Sequence, residues 1–467
     1  MMKKTTLFLC LLLLSLATHA QLRLPHVLSD HMVLQRESEV MIWGWGNAGS
    51  HVGVKASWLP DTAVAVIDGG GHWRLSLKTS AAGGPYTIKV TSNEEIITLN
   101  DILLGDVWLC SGQSNMEWGG AQNLPEIIQE LPKANDKQIR LLQVSRVTAA
   151  NPQEDIVNVW QQLDSASLRP FSAIGYFIAK ELRSELNVPI GIINASWGGT
   201  GAEVWTPTQV IQGDKILADA ADRQTPASFR PHRAGSLWNS MIYPLRDFAI
   251  SGAFWYQGES NVGSWSSYDL LMQHMVGAWR AAWSKQFPFY FVQIAPHTYN
   301  NKQPLAALLR EQQDRTARTL ANSGMVVISD LVDNVKDIHP IQKQAVAKRL
   351  ATIALQDHYQ LGSQSDYKSP IFKEQRIKGD KIEITFSQLD GKLQLKGDQV
   401  EDLFIAGADQ KFYPAKGTIQ GNKLIVSASD VKQPVAVRFN FSEAGVSNLF
   451  NSNGLPVAPF RTDDWSF

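Results

Sequence analysis

The stretch "ILLGDVWLC", residues 102 to 110, is apolar almost throughout and shows no alternation. A strand with one wet face alternates apolar and polar residues, so an unbroken run reads as a strand covered on both faces. Similar runs recur at "PIGIINA" (189 to 195), "GAFWYQ" (252 to 257), "PFYFVQI" (288 to 294) and "MVVISDL" (325 to 331). Helical patterns fall at 172 to 187, 266 to 284, 305 to 321 and 341 to 356. In the first of these, Ile174, Phe177, Ile178, Leu182 and Leu186 share one face. Alternating β and α units predict a doubly wound α/β core with a mostly parallel sheet over residues 101–365.

The flanks have a different rhythm. Residues 21–100 carry short β runs, "EVMIWGWG", "AVAVI", "HWRLSL" and "YTIKVTS", punctuated by Gly, Asp, Asn and Pro. Residues 366–467 repeat the pattern with "KIEITFS", "KLQLKG", "KLIVSAS" and "VAVRFNF". Both regions predict β-sandwich-like structure on either side of the core. Residues 1–20 read as a secretory signal peptide: Lys3 and Lys4, an apolar stretch at 7 to 17, then a small residue at Ala20. That stretch is about half the roughly 20 residues a membrane span needs. An exported protein is expected, secreted or periplasmic, without membrane insertion.

Formal net charge is −1 over 467 residues, and no basic run breaks the balance, so nucleic acid is not an expected partner. Of two cysteines, Cys10 leaves with the leader, and Cys110 among Trp108 and Leu109 reads as a small buried hydrophobe. No Cys/His cluster has zinc-ligand spacing.

In doubly wound sheets the ligand site lies beyond the carboxyl ends of the strands. Ser114 follows the first buried run, and Gly198 and Gly199 follow the second. Gln257 closes the third with Glu259 close behind, His297 follows the fourth, and Asp333, Asp337 and His339 follow the fifth. A hydroxyl, glycine amides, a carboxamide, carboxylates and imidazoles are the parts that acyl transfer requires. Singly, each has a plainer reading: Ser114 as a turn or capping residue, the glycines as a flexible turn, His339 as a surface residue before Pro340. Their order at successive strand ends is what argues for chemistry.

The motifs "GQSNM" (112 to 116), "NASWGGTGAEVW" (194 to 205), "WNSMIYPL" (238 to 245), "FWYQGESN" (254 to 261) and "DIHP" (337 to 340) resemble the sialate O-acetylesterase family of the SGNH hydrolases. "LSDHMVLQR" (28 to 36) and "NLFNSNGLPVAPFRTD" (448 to 463) extend the resemblance over nearly the whole mature chain. The resemblance implies an esterase acting on O-acetylated carbohydrate, with Ser114 as nucleophile and His339 as general base and acid. The amides of Ser114 and of a glycine in "WGGTG" form the implied oxyanion hole, Gly199 being preferred to Gly198, with the Gln257 side chain as third donor. The broader SGNH pattern uses Asn where this chain has Gln257. It also places the acid three residues before the histidine, where Lys336 stands. Asp337 is therefore the expected orienting acid, with Asp333 and a Ser–His dyad as alternatives. Met116 breaks the G-x-S-x-G pattern of an α/β-hydrolase elbow.

His297 is expected to serve as substrate wall rather than base. Trp118, Trp197 and Trp205 lie beside these motifs, either stacking on a sugar ring or packing around the site. Arg310 is a candidate for holding a substrate carboxylate such as that of sialic acid. No metal or organic cofactor is implied. O-acetylated sialic acid is the leading substrate expectation, with acetylated plant polysaccharide such as xylan as the alternative. A non-catalytic carbohydrate-binding protein is the competing reading from another class.

Overall fold

The computed structural model describes residues 21–362 and 365–467; the expected leader, residues 1–20, lies outside them. Its central sheet contains β1 (Glu95–Gly112), β2 (Ile139–Gln143), β3 (Ile190–Ser196), β4 (Gly252–Tyr256), β5 (Phe289–Val292) and β6 (Ser323–Val326). They lie in the order β6-β5-β4-β1-β3-β2, every neighbouring pair parallel. The short strand Gln161–Gln162 adds an antiparallel edge beyond β2. The principal helices are α1 (Ala173–Leu186), α2 (Tyr268–Ala282), α3 (Leu305–Thr319) and α4 (Lys343–Ile353).

Strand periodicity explains why this sheet needs helices on both sides. Trp108 and Cys110 of β1, with Ile190, Ile192 and Phe254, form one core with Ile174 and Phe177 of α1 and Leu350 of α4. Val107, Leu109, Ile193 and Trp255 point the other way, into a core with Trp279 of α2 and Leu309 of α3. Each such side chain stabilises the fold by about 1.5–3 kcal/mol when fully buried. Helix α1 starts where Ser172 Oγ accepts the Gly175 amide, and ends at Asn187 in the left-handed region, φ 53°. Cys110 is fully buried and unpaired, and burial pushes its thiol pKa up.

The N-terminal β region is not an appendage. Residues 95 onward of β1 pair antiparallel with Gly83–Ser92, and Val33–Gln35 joins them in parallel at Leu103. The same strand pairs with β3 from Asp106 and with β4 from Trp108. The expected break between residues 100 and 101 therefore falls inside one continuous strand. Asp106, the charge within the apolar run, is held by Arg36 Nε at 3.0 Å. Strand β6 begins two residues before the "MVVISDL" run and ends at Val326. The C-terminal region consists of further β-sheets. Two four-stranded antiparallel sheets share a core of Ile382, Ile384, Leu403, Ile405, Val426 and Val437.

At the carboxyl end of β1, Gly112 has φ +136°, and a Cβ there would meet the Tyr256 carbonyl oxygen at 2.1 Å. Gly112→Ala should therefore cost more than the ~1–2 kcal/mol of a positive-φ side chain alone, because backbone must also move. Urea unfolding checks this: a midpoint equal to that of the parent protein would show that β1 and β4 do not approach as described.

Candidate active site

β1 delivers its last residue to the point where the sheet order reverses, between β3 and β4, which is where an open α/β sheet forms a crevice. The Gln113 amide donates to the Tyr256 carbonyl at 3.0 Å and the Trp197 amide to the Gly112 carbonyl at 3.1 Å. With both flanks tied, Ser114 opens a short helical turn, Ser114–Glu117. Its Oγ lies 3.0 Å from Nε2 of His339, which sits in the loop before α4. On the far side of the ring, Nδ1 lies 3.5 Å from Asp337 Oδ1, an oxygen that also accepts the His339 amide at 2.9 Å. The Asp337 side chain is 54% exposed, so water shares its charge. Asp333 is exposed and makes no hydrogen bond or ion pair with His339. The indole of Trp118 stacks on the imidazole, ring centroids 3.7 Å apart and planes 18° apart.

Burial pushes the pKa of His339 down to about 4; the nearby Lys343 ammonium and His297 act in the same direction, while Asp337 opposes them. The ring is therefore neutral at pH 7. With its proton on Nδ1 towards Asp337, Nε2 is free to accept from the Ser114 hydroxyl. Lys343, the first residue of α4, is itself fully buried and pushed down to about 7 by desolvation, against Glu259, Glu126 and Asp337. Its Nζ donates to Asn115 Oδ1 at 2.6 Å. Asn115 Nδ2 in turn donates to Glu259 Oε1 at 2.6 Å and to the Ile338 carbonyl at 3.0 Å. One carboxamide thus ties the turn bearing Ser114 to the loop bearing His339. Burial keeps the Glu259 carboxyl above its usual range. Asn115 and Lys343 escaped the sequence reading, although Asn115 stands inside "GQSNM".

The expected oxyanion donors Gly199 and Gln257 have these surroundings. A Cβ on Gly198 would lie 3.3 Å from the Ser114 Cβ, whereas one on Gly199 would meet the Phe229 ring and Arg230. Gly198, not Gly199, is the glycine against the hydroxyl, and its amide donates to the Glu117 carboxylate. Gln257 is fully buried and its Nε2 faces three protein acceptors, Gln113 Oε1 at 3.1 Å, the Thr200 carbonyl at 3.1 Å and Asn261 Oδ1 at 2.8 Å. An amide nitrogen has two hydrogens, so this donor is already committed. Gln257 braces the residue before Ser114 and the glycine loop.

The aromatic and cationic expectations divide similarly. Trp118 and Trp197 are half-buried beside the site, Arg146 lying over the Trp197 ring at 5.8 Å. Trp205 is fully buried core, its indole donating to Thr200 Oγ1. Arg310 is 1% exposed and donates to the carbonyls of Ser442 and Glu443, so it fastens α3 to the C-terminal region and meets no solvent-borne carboxylate. His297 is half-buried, its amide on the Glu443 carbonyl and its ring edge-on to Tyr299. Among the described residues no group of three His, Cys, Asp or Glu is arranged to hold a metal ion, and no helix is long and apolar enough to cross a membrane.

The family model for carbohydrate esterases described as sialic acid-specific acetylesterase matches residues 104–356. Sialate O-acetylesterase of Homo sapiens is 30% identical over 368 residues, covering 70% of this chain and 69% of its own. The Mus musculus sialate O-acetylesterase is 28% identical over 390 residues, covering 70% and 72%. A crystal structure of a carbohydrate acetylesterase from Xanthomonas citri superimposes with TM-score 0.87 at 37% identity, over 95% of this chain and 100% of that one.

Two measurements follow from this geometry. Asp337→Asn should lower kcat by about 10- to 100-fold, well short of the 10⁴ seen for a buried triad acid, while Asp333→Asn stays near the parent value. Equal losses would remove Asp337 from the site. The base must be unprotonated, so kcat/KM on an aryl acetate should hold level below pH 6 and fall only as pH approaches the His339 pKa of about 4. Lys343→Gln keeps a donor for Asn115 but removes the repelling charge, so the acid limb should move towards the ordinary imidazole range. An unmoved limb would exclude that charge as a cause.

Proposed function

Because the chain belongs to the sialic acid-specific acetylesterase family of carbohydrate esterases, we propose that it removes O-acetyl groups from sugars through an acetyl-serine at Ser114. The observation that carries this reading is the 3.0 Å contact between Ser114 Oγ and a neutral His339 at the switch point of the sheet. As Ser114 Oγ attacks the acetyl carbonyl, His339 Nε2 takes its proton, and Asp337 stabilises the resulting imidazolium. Collapse of the tetrahedral intermediate breaks the bond to the sugar oxygen, which leaves with that proton. Water then attacks the acetyl-enzyme as His339 accepts its proton, and collapse of the second tetrahedral intermediate expels acetate while His339 returns that proton to Ser114 Oγ. The main-chain amides of Ser114 and Gly198 are the proposed oxyanion donors, with Glu117 yielding the Gly198 amide when substrate enters.

O-acetylated sialic acid is the proposed substrate. Beside Trp197 a cleft of about 450 Å³ is lined by Ser228, Arg230, His232, Arg233 and Ser236, with no carboxylate in its wall. Arg230 donates to the carbonyls of Gly199 and Thr225, and its guanidinium acts on the buried Glu203 carboxyl behind the wall. Such a wall favours a sugar that carries its own negative charge over a neutral acetylated polysaccharide such as xylan. In this reading residues 101–365 are an SGNH-type hydrolase, residues 366–467 a separate β region, and residues 21–100 a β module joined through β1. The leader at residues 1–20 supports an exported enzyme.

The test is acetate release on O-acetylated sialic acid and on acetylated xylan, measured side by side. Ser114→Ala and His339→Ala should each abolish release with little change in thermal midpoint. Faster release from xylan would overturn the sialate assignment but leave the esterase. Full activity in Ser114→Ala would overturn the mechanism.

A further inference from the structure

Far along the chain from Ser114, the strand Glu39–Trp45 pairs antiparallel with His72–Lys78. Val40, Ile42 and Gly44 are buried, so the alternate residues Trp43 and Trp45 project from the opposite face of this ribbon. Across the ladder they stand opposite Arg74 and His72. Together with Trp73, Asp68, Glu154, Arg246 and Asp247 they wall a cleft of about 340 Å³, the last three supplied by the catalytic region. Arg23 lies over the Trp45 ring at 3.7 Å, and the Trp45 indole donates to Glu154 Oε2 at 3.3 Å, so that ring is held in place. Trp73, opposite Gly44, is 3% exposed and packs into the core behind this ribbon.

We propose that this cleft is a second carbohydrate site, one that binds neutral pyranose units of the glycan while the ester is cleaved elsewhere. Indole faces match the C–H faces of a pyranose, and carboxylates and guanidinium groups at the rim match its hydroxyls. The wall mixes both signs, Arg74 and Arg246 beside Asp68, Glu154 and Asp247, with Arg246 3.6 Å from Asp247. A wall so balanced offers hydrogen bonds without demanding an ion. In that it differs from the cationic cleft beside Trp197, and it calls for the uncharged part of a sugar chain.

The experiment is affinity electrophoresis of the full chain through gels containing xylan, β-glucan, galactan or asialo-mucin, with aryl acetate hydrolysis measured in parallel. At least one neutral glycan should retard the protein. Trp45→Ala should weaken that retention by about tenfold, with hydrolysis of the small ester unchanged. Glu154→Gln, an exposed and conservative change, should weaken it independently, which covers the case that Trp45→Ala misfolds. Retardation by none of the four glycans, or retention unaltered in both variants, overturns the proposal. Loss of aryl acetate hydrolysis in the parent protein would sink the esterase reading without touching the binding result.

Discussion

The N-terminal sheet, the parallel core and the Ser114 turn share one strand. β1 pairs with β3 on one side and β4 on the other, and its amino half is a member of the N-terminal sheet. Gly112 lets its end pass so close to Tyr256 that no side chain fits between them. The next residues are then bound to the backbones of both neighbouring strand ends, and Ser114 is set at the crevice before any of its own side-chain contacts form. Position is provided by main-chain pairing in the most buried part of the sheet, where local opening is least frequent.

Around that fixed hydroxyl the protein has gathered charges that water does not solvate. Glu203, Glu259 and Lys343 are all buried, and desolvation moves each towards its neutral form. Asn115 and Asn261 lie between them: Asn261 donates to Glu203 and accepts from Gln257, and Asn115 joins Lys343 to Glu259. Carboxamides suit this work because one group donates and accepts at once without adding charge. The result is a rigid polar floor beneath Ser114 and His339. Burial of His339, with Lys343 of this floor acting the same way, opposes its protonation and keeps a base available well below neutral pH.

The sequence made the parallel core legible because its strands are buried on both faces and their apolar runs survive without context. β2 was hidden for the opposite reason. Arg140 interrupts "IRLLQ", and only the fold reveals that Asp101, 2.9 Å away, answers its charge. Ser114, His339 and Asp337 were readable as motif residues within reach of strand ends. Arg310 was misjudged because a charged residue on a helix ordinarily faces water; here the carbonyls of Ser442 and Glu443, far along the chain, take the place of water. The partners of Gln257 were hidden for a related reason. Its neighbours in sequence say nothing of Gln113, Thr200 and Asn261, which surround it in space.

The stack of Trp118 on His339 has a kinetic meaning for the proposed reaction. An imidazole lying 3.7 Å from an indole, with Ser114 at one nitrogen and Asp337 at the other, is held on that face and at both nitrogens. A swinging histidine could fetch protons from several places; this one is a fixed terminal. The serine, the departing sugar oxygen and the hydrolytic water must each take their turn at the same nitrogen, in the same small volume. Which acetyl group of a polyol is removed then becomes a matter of reach: only a hydroxyl that the sugar's own shape can carry to that point can be released there.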